Sequence, residues 1–201
     1  MATDWASADR FEIDQLIRPV ANLYRITTRG TPFAFVRQKR LALKEDIRFF
    51  ARDDESEELF RIKARQVMEV GGRYDVAAPD GERVGVLEKA FRKSLVRSTW
   101  RILGADGEEV AVAQERSLPV ALLRRVIDLV PYGELVPILF HFTIDAAGPD
   151  GSDGGRHLGD FTRAWGLRDR YTLDLTADTE RVLDRRLAVA LAIALDALQS
   201  R

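Results

Sequence analysis

Residues Leu187 to Leu195 read LAVALAIAL, nine in succession without a polar side chain, shortly after the charged stretch Asp178 to Asp184, DTERVLD. A surface helix keeps one polar face, so a helix that is apolar on every side has to be buried. Nine residues are too few to cross a bilayer, which takes about twenty. This segment is therefore predicted to be a helix enclosed by the protein's own body.

The enclosing structure is read from the hydrophobic period, which is two over most of Leu23 to Thr176. Phe60, Ile62 and Ala64 alternate with Arg61, Lys63 and Arg65, and Ile138, Phe140, Phe142 and Ile144 alternate with Leu139, His141, Thr143 and Asp145. Tyr171, Leu173 and Leu175 alternate with Thr172, Asp174 and Thr176. Shorter versions occur at Tyr24–Ile26, Phe33–Phe35, Ile47–Ala51, Tyr74–Val76, Val84–Val86 and Trp100–Ile102. One apolar and one wet face mean antiparallel sheet. Asp80-Gly81 and Asp106-Gly107 supply hairpin turns between strands.

Roughly ten to twelve such strands must curl, close or split. A barrel of about eight strands is filled by side chains alone, but diameter grows with strand number. The fold class is thus mainly β with helices: an antiparallel closed β-barrel of about twelve strands around a central hydrophobic C-terminal helix. Leu187, Val189, Leu191, Ile193 and Leu195 form the plug, and Ala188, Ala190, Ala192 and Ala194 keep it slim. One domain is expected over residues 23–198, after an N-terminal extension of residues 1–22.

A mid-chain helix is also expected. Ser117 caps it, Pro119 suits its first turn and Pro131 follows its end at Val130. Val120, Leu123, Ile127 and Val130 share a face opposite Arg124, Arg125 and Asp128, which suits either closure of one barrel end or a membrane surface.

Composition narrows function by exclusion. A net charge of −1 over 201 residues argues against nucleic acid as partner. With no cysteine there is no disulfide framework, thiol nucleophile or zinc knuckle. Asp4, Asp9 and Glu12 precede any apolar run, unlike a signal peptide, and no transmembrane span is expected. His141 and His157 lack a second histidine at helical metal spacing, and no nucleophile elbow, Walker loop or dinucleotide fingerprint occurs. The glycine-rich loop Gly148–Gly155 lacks the ligand alternation of a calcium loop. The expectation is no enzyme, no cofactor and no metal.

The strongest functional candidate is basic. Arg61 to Arg101 holds ten Lys/Arg against five Asp/Glu, in a chain that is otherwise acidic. Its densest part carries Arg92, Lys93, Arg97 and Arg101, with the hydroxyls of Ser94 and Ser98; a second cluster, Arg37, Lys39 and Arg40, could adjoin it in space. Such cations attract anionic headgroups at ~1 kcal/mol each, although charge runs also occur as plain solvated strand faces. Asp196 follows the apolar run near a helix C-terminus, where a carboxylate opposes the dipole. Buried, it needs a cationic partner such as an inward arginine; at a frayed end it needs none.

The stretches VRQKRLALKEDIRFFARDDESEELFRIKAR (36–65), YDVAAPDGERVGVLEKAFRKSLVRSTWRIL (74–103) and RDRYTLDLTADTERVLDRRLAVALAIALDAL (168–198) resemble the LURP-one-related proteins, which group with tubby C-terminal-like and phospholipid-scramblase-like domains. The resemblance spans nearly the whole chain. It implies a twelve-stranded barrel around a buried C-terminal helix and a non-enzymatic domain, some relatives binding phosphoinositides or acting at membranes. No proline-rich tail, palmitoylatable cysteine or calcium loop accompanies it here, which argues against scramblase activity. The functional expectation is a cytoplasmic barrel, peripheral to the membrane, that binds an anionic phospholipid, phosphoinositide or phosphorylated ligand through its basic surface. The alternative is a protein-interaction or structural module without a small-molecule ligand.

Overall fold

Alternation decides which way each strand faces, and the strands follow one another without a crossover. The chain is described here by a computed structural model that covers residues 4–5, 7–17, 21–39, 46–64, 72–90, 98–116, 141–148, 155–164 and 170–199. The strands are β1 (Arg10–Ile17), β2 (Ala21–Thr28), β3 (Thr31–Lys39), β4 (Asp46–Phe50), β5 (Glu58–Ala64) and β6 (Arg73–Ala77). They continue as β7 (Arg83–Ala90), β8 (Thr99–Leu103), β9 (Glu109–Glu115), β10 (His141–Ala146), β11 (His157–Ala164) and β12 (Arg170–Asp174), and helix α1 (Arg185–Gln199) follows. Each strand pairs antiparallel with the next, and β1 closes the ring on β12. Gly81 and Gly107 adopt the positive φ that their two hairpin turns require.

The expected closed barrel around its own last helix is what forms. No residue from Leu187 to Leu195 is more than 1% exposed, so α1 fills the lumen. Facing it are Tyr24, Ile26, Ile47, Phe49, Phe60, Ile62, Val76, Trp100, Ile102, Phe142, Ile144, Tyr171 and Leu173, all buried as their alternation required. Helix and wall approach most closely at Gly85, where an added Cβ would lie 2.4 Å from the Leu103 carbonyl oxygen and 2.8 Å from Leu187 Cδ1.

Several expectations are corrected. Residues Arg10–Ile17, assigned to an N-terminal extension, form β1, a strand of the ring paired with both β12 and β2. Its alternation is brief, Phe11 and Ile13 inward with Glu12 and Asp14 outward, so it carries little periodic signal on its own. In β3 it is Ala34, Val36 and Gln38 that point inward, and Phe35 lies outside; the irregularity between Ile26 and Thr27 sets that register. In β7, Gly85 and Leu87 face α1 while Val86 faces out, beside Asp75 and Leu103. The mid-chain helix of residues 117–130 and most of the loop at 148–155 lie outside the described residues.

Burying a helix requires that both its ends be satisfied. At the N-terminus Asp184 is the cap, accepting the Arg186 N–H at 2.8 Å. Arg185 is 4% exposed and spends its guanidinium on Asp178 (2.6 Å), Asp9 (2.9 Å) and the carbonyls of Ala8, Leu183 and Asp178. Asp178, also buried, accepts the backbone N–H groups of Val182 and Leu183. At the other end Asp196 accepts the hydroxyl protons of Tyr24 (2.7 Å) and Tyr171, and Gln15 donates to the Tyr24 oxygen. Two phenols thus hold this carboxylate, where sequence reasoning offered either a cationic partner such as an arginine or a frayed end with none. Trp5 closes the end where α1 enters, 4.6 Å from Phe33 and 5.4 Å from Phe60 between ring centroids.

Two outcomes follow. A chain ended before Leu187 loses its core and should give no cooperative unfolding transition by calorimetry; native-like cooperative melting would contradict the plug. The second concerns Asp178. Burial works against its charge, yet the Arg185 guanidinium and two backbone N–H groups hold its carboxyl below the usual range. Stability from a lowered carboxyl is complete above the unfolded value, about 3.9, and is lost as pH falls through the folded one. Asp178→Asn should therefore cost ~3–5 kcal/mol at neutral pH and flatten the stability loss below about pH 4, read from urea midpoints across the acid range.

Candidate functional site

Sequential antiparallel order puts every odd-to-even connection at one end of the barrel and every even-to-odd connection at the other. α1 starts after β12 and so enters at the even-to-odd end; it runs toward the opposite, exit end. The entry-end connections, residues 29–30, 51–57, 78–82, 104–108, 147–156 and 175–184, hold thirteen Asp/Glu against four Arg. The exit-end connections, residues 18–20, 40–45, 65–72, 91–98, 116–140 and 165–169, hold eleven Lys/Arg against five Asp/Glu. By sequence, the connections of the two ends therefore carry opposite net charge, most of the exit-end ones lying outside the described residues.

The barrel wall between them neutralises itself. Arg48 pairs with Asp46 (3.1 Å) and Glu58 (3.6 Å), Arg61 with Glu58, Arg73 with Glu88, Arg10 with Asp174 and Arg170 with Asp14. Arg48 is pushed above its ordinary value by its hydrogen bonds to Asp46. These are exposed or half-exposed pairs, each worth little to stability but enough to cancel charge locally.

The predicted site residues do not share one face. Arg37 lies outside on β3, where Glu55 takes both bonds of its Nη1, at 2.8 and 2.9 Å. Arg101 lies outside on β8, bonded to Glu109 and, at 3.4 Å, to Glu88; the Glu109 bond raises its pKa. β3 and β8 stand five places apart in a ring of twelve, so the two arginines are on nearly opposite sides. Lys39 ends β3, its side chain outside the described part of the structure. Arg92, Lys93 and Arg97 also lie outside the described residues, between β7 and β8 in the sequence. The plug residues Leu187, Val189, Leu191, Ile193 and Leu195 are where they were expected.

Sequence reasoning missed one constellation. Across the β10–β11 hairpin, His141 Nε2 meets Asp160 Oδ1 at 2.8 Å, Asp160 Oδ2 meets His157 Nε2 at 3.1 Å, and His157 Nδ1 meets Asp145 Oδ1 at 3.0 Å. Register brings these together: Asp145 stands opposite His157, while residues 141 and 160 are offset along the ladder. Only hairpin pairing of the two strands would have revealed it. The row borders an open groove of about 330 Å³ lined by Arg10, His157, Asp160, Thr162, Thr172 and Asp174, among others. No group of three His, Asp or Glu among the described residues is placed to hold a metal ion. At the exit end Tyr24 is raised well above the usual phenol value, by burial first and then by the Asp196 charge.

A twelve-stranded antiparallel ring whose lumen is filled by its own C-terminal helix defines a class, the helix-plugged β-barrels. Within it the chain belongs to the LURP-one-related family, whose sequence model matches residues 34–196. That match starts inside β3, so β1 and β2 complete the ring from upstream of it. No curated protein matches the chain. Among the described residues no helix is long and apolar enough to cross a membrane.

The carboxylates on both ring nitrogens set a measurable property of His157. The Asp145 bond, followed by the charge and bond of Asp160, outweighs desolvation and raises its pKa. A raised histidine lends stability below its unfolded value, about 6.5, and loses it as pH rises through the folded one. In an NMR titration His157 should titrate above about 6.5 and fall toward that value in Asp145→Asn. Titration at or below the free value in the wild type would contradict the row.

Proposed function

We propose that this protein is a non-enzymatic barrel that binds an anionic lipid headgroup, or a phosphorylated ligand of the same chemistry, through the basic end where α1 exits. The observation that carries this reading is the charge separation along the barrel axis. Eleven Lys/Arg fall in connections at one end, while the wall arginines at 10, 37, 48, 61, 73, 101 and 170 are each paired with a carboxylate. The cations suited to an anionic surface are then those of the exit end, above all Arg92, Lys93 and Arg97, rather than Arg37 and Arg101. A surface of this sign gains ~1 kcal/mol per cation near anionic lipid and loses it as salt screens the field. The corresponding location is cytoplasmic, peripheral to a membrane. A closed barrel can also carry an apolar ligand, but here α1 occupies the space that such cargo would need.

Co-sedimentation with vesicles of phosphatidylcholine alone, with phosphatidylserine and with a phosphoinositide, at low and physiological salt, tests the reading. The wild type should pellet with the anionic vesicles and release with salt. Reversing Arg92, Lys93 and Arg97 to glutamate should weaken binding by about a hundredfold or more. Absence of binding at either salt would make the chain a protein-interaction or structural module instead.

A further inference from the structure

We infer that the barrel meets the anionic bilayer end-on, with the exit-end half of the outer β1–β3 wall entering the lipid interface; this rests on the reading above and specifies which surface carries it. The argument comes from described side chains. Leu16 on β1 is 36% exposed, and among the described residues only Val182 is another large apolar side chain this open. A lone exposed leucine needs no explanation, but Leu16 stands opposite Leu23 of β2, which stands opposite Arg37 of β3. In the next row Asp14, held by Arg170, stands opposite Arg25, and Arg25 stands opposite Phe35, its guanidinium carbon 5.9 Å from the ring centroid. Arg25 is exposed and forms no ion pair with a carboxylate among the described residues, in contrast to the wall arginines that do.

Exposed leucine, half-buried leucine and phenylalanine, and an arginine stacked on the aromatic ring make an amphipathic strip. That combination suits the boundary between headgroups and acyl chains, where apolar atoms sink and guanidinium stays with phosphate. Val182, by contrast, lies in the acidic entry-end connection. An anionic surface attracts one end and repels the other, so the molecule's field turns the barrel before contact. The same charges would attract an acidic protein, but the exposed Leu16 beside the half-buried Leu23 and Phe35 favours lipid.

The chain has no cysteine, so single labels can be placed without background. Leu16→Cys and, at the entry end, Asp80→Cys are each coupled to an environment-sensitive nitrobenzoxadiazole dye and mixed with vesicles of phosphatidylcholine and phosphatidylserine. The expected result is a blue shift at position 16, quenched by brominated acyl chains, and no change at position 80. Independently, unlabelled Arg25→Glu should bind the same vesicles about tenfold more weakly at an unchanged melting temperature. Pelleting with position 16 still in water, or a shift at position 80, would overturn end-on docking and leave the lipid reading intact. Full vesicle affinity in Arg25→Glu would do the same. No pelleting of the wild type would remove both, and binding to polyglutamate but not to vesicles would point to an acidic protein.

Discussion

Filling the lumen is the constraint from which the rest of the structure follows. A ring of twelve strands is too wide for inward Phe, Ile and Leu to meet across its axis. α1 supplies the missing volume, with small Ala188, Ala190, Ala192 and Ala194 between larger neighbours, and the wall yields to it at Gly85. A fully enclosed helix then imposes further demands. Its first turn needs partners in place of water, which accounts for the buried Arg185–Asp178 pair and the Asp184 cap. Its last turn needs a polar exit, which accounts for Tyr24 and Tyr171 closing on Asp196.

The helix also ties the barrel's interior to its surface charge. Its positive end meets the Asp184 cap, whereas Asp196 near its negative end opposes the macrodipole and is held by the hydroxyls of Tyr24 and Tyr171. The wall contributes no net charge of consequence, because its strands carry arginine and carboxylate side by side.

Burial of α1 was legible because nine apolar residues leave a helix no wet face, and the barrel was legible because it is the enclosure that such a helix requires. Inward positions such as Phe60, Ile62, Tyr171 and Leu173 could be read from their alternation alone. What escaped depends on which strands are neighbours. β1 was missed because two inward residues make almost no pattern until β12 and β2 are known to flank them. Phe35 and Val86 were turned the wrong way because an irregularity moved the register by one residue. Arg37 and Arg101 looked like parts of one patch because sequence distance says nothing of the five strand positions between them. The two tyrosines on Asp196 and the histidine row on β10 and β11 are likewise products of pairing, invisible in a one-dimensional pattern.

Ring closure by β1 and β12 orders events during synthesis. Residues 10–17 leave the ribosome first among the strands, yet one edge of that strand has no partner until residues 170–174 have followed. The plug comes later still, after all twelve strands. A growing chain therefore carries an open edge and an unfilled apolar inner face until α1 has followed the strands, the condition in which strands recruit wrong partners. The architecture that leaves the finished barrel without an edge makes its nascent form depend on protection until α1 has been made.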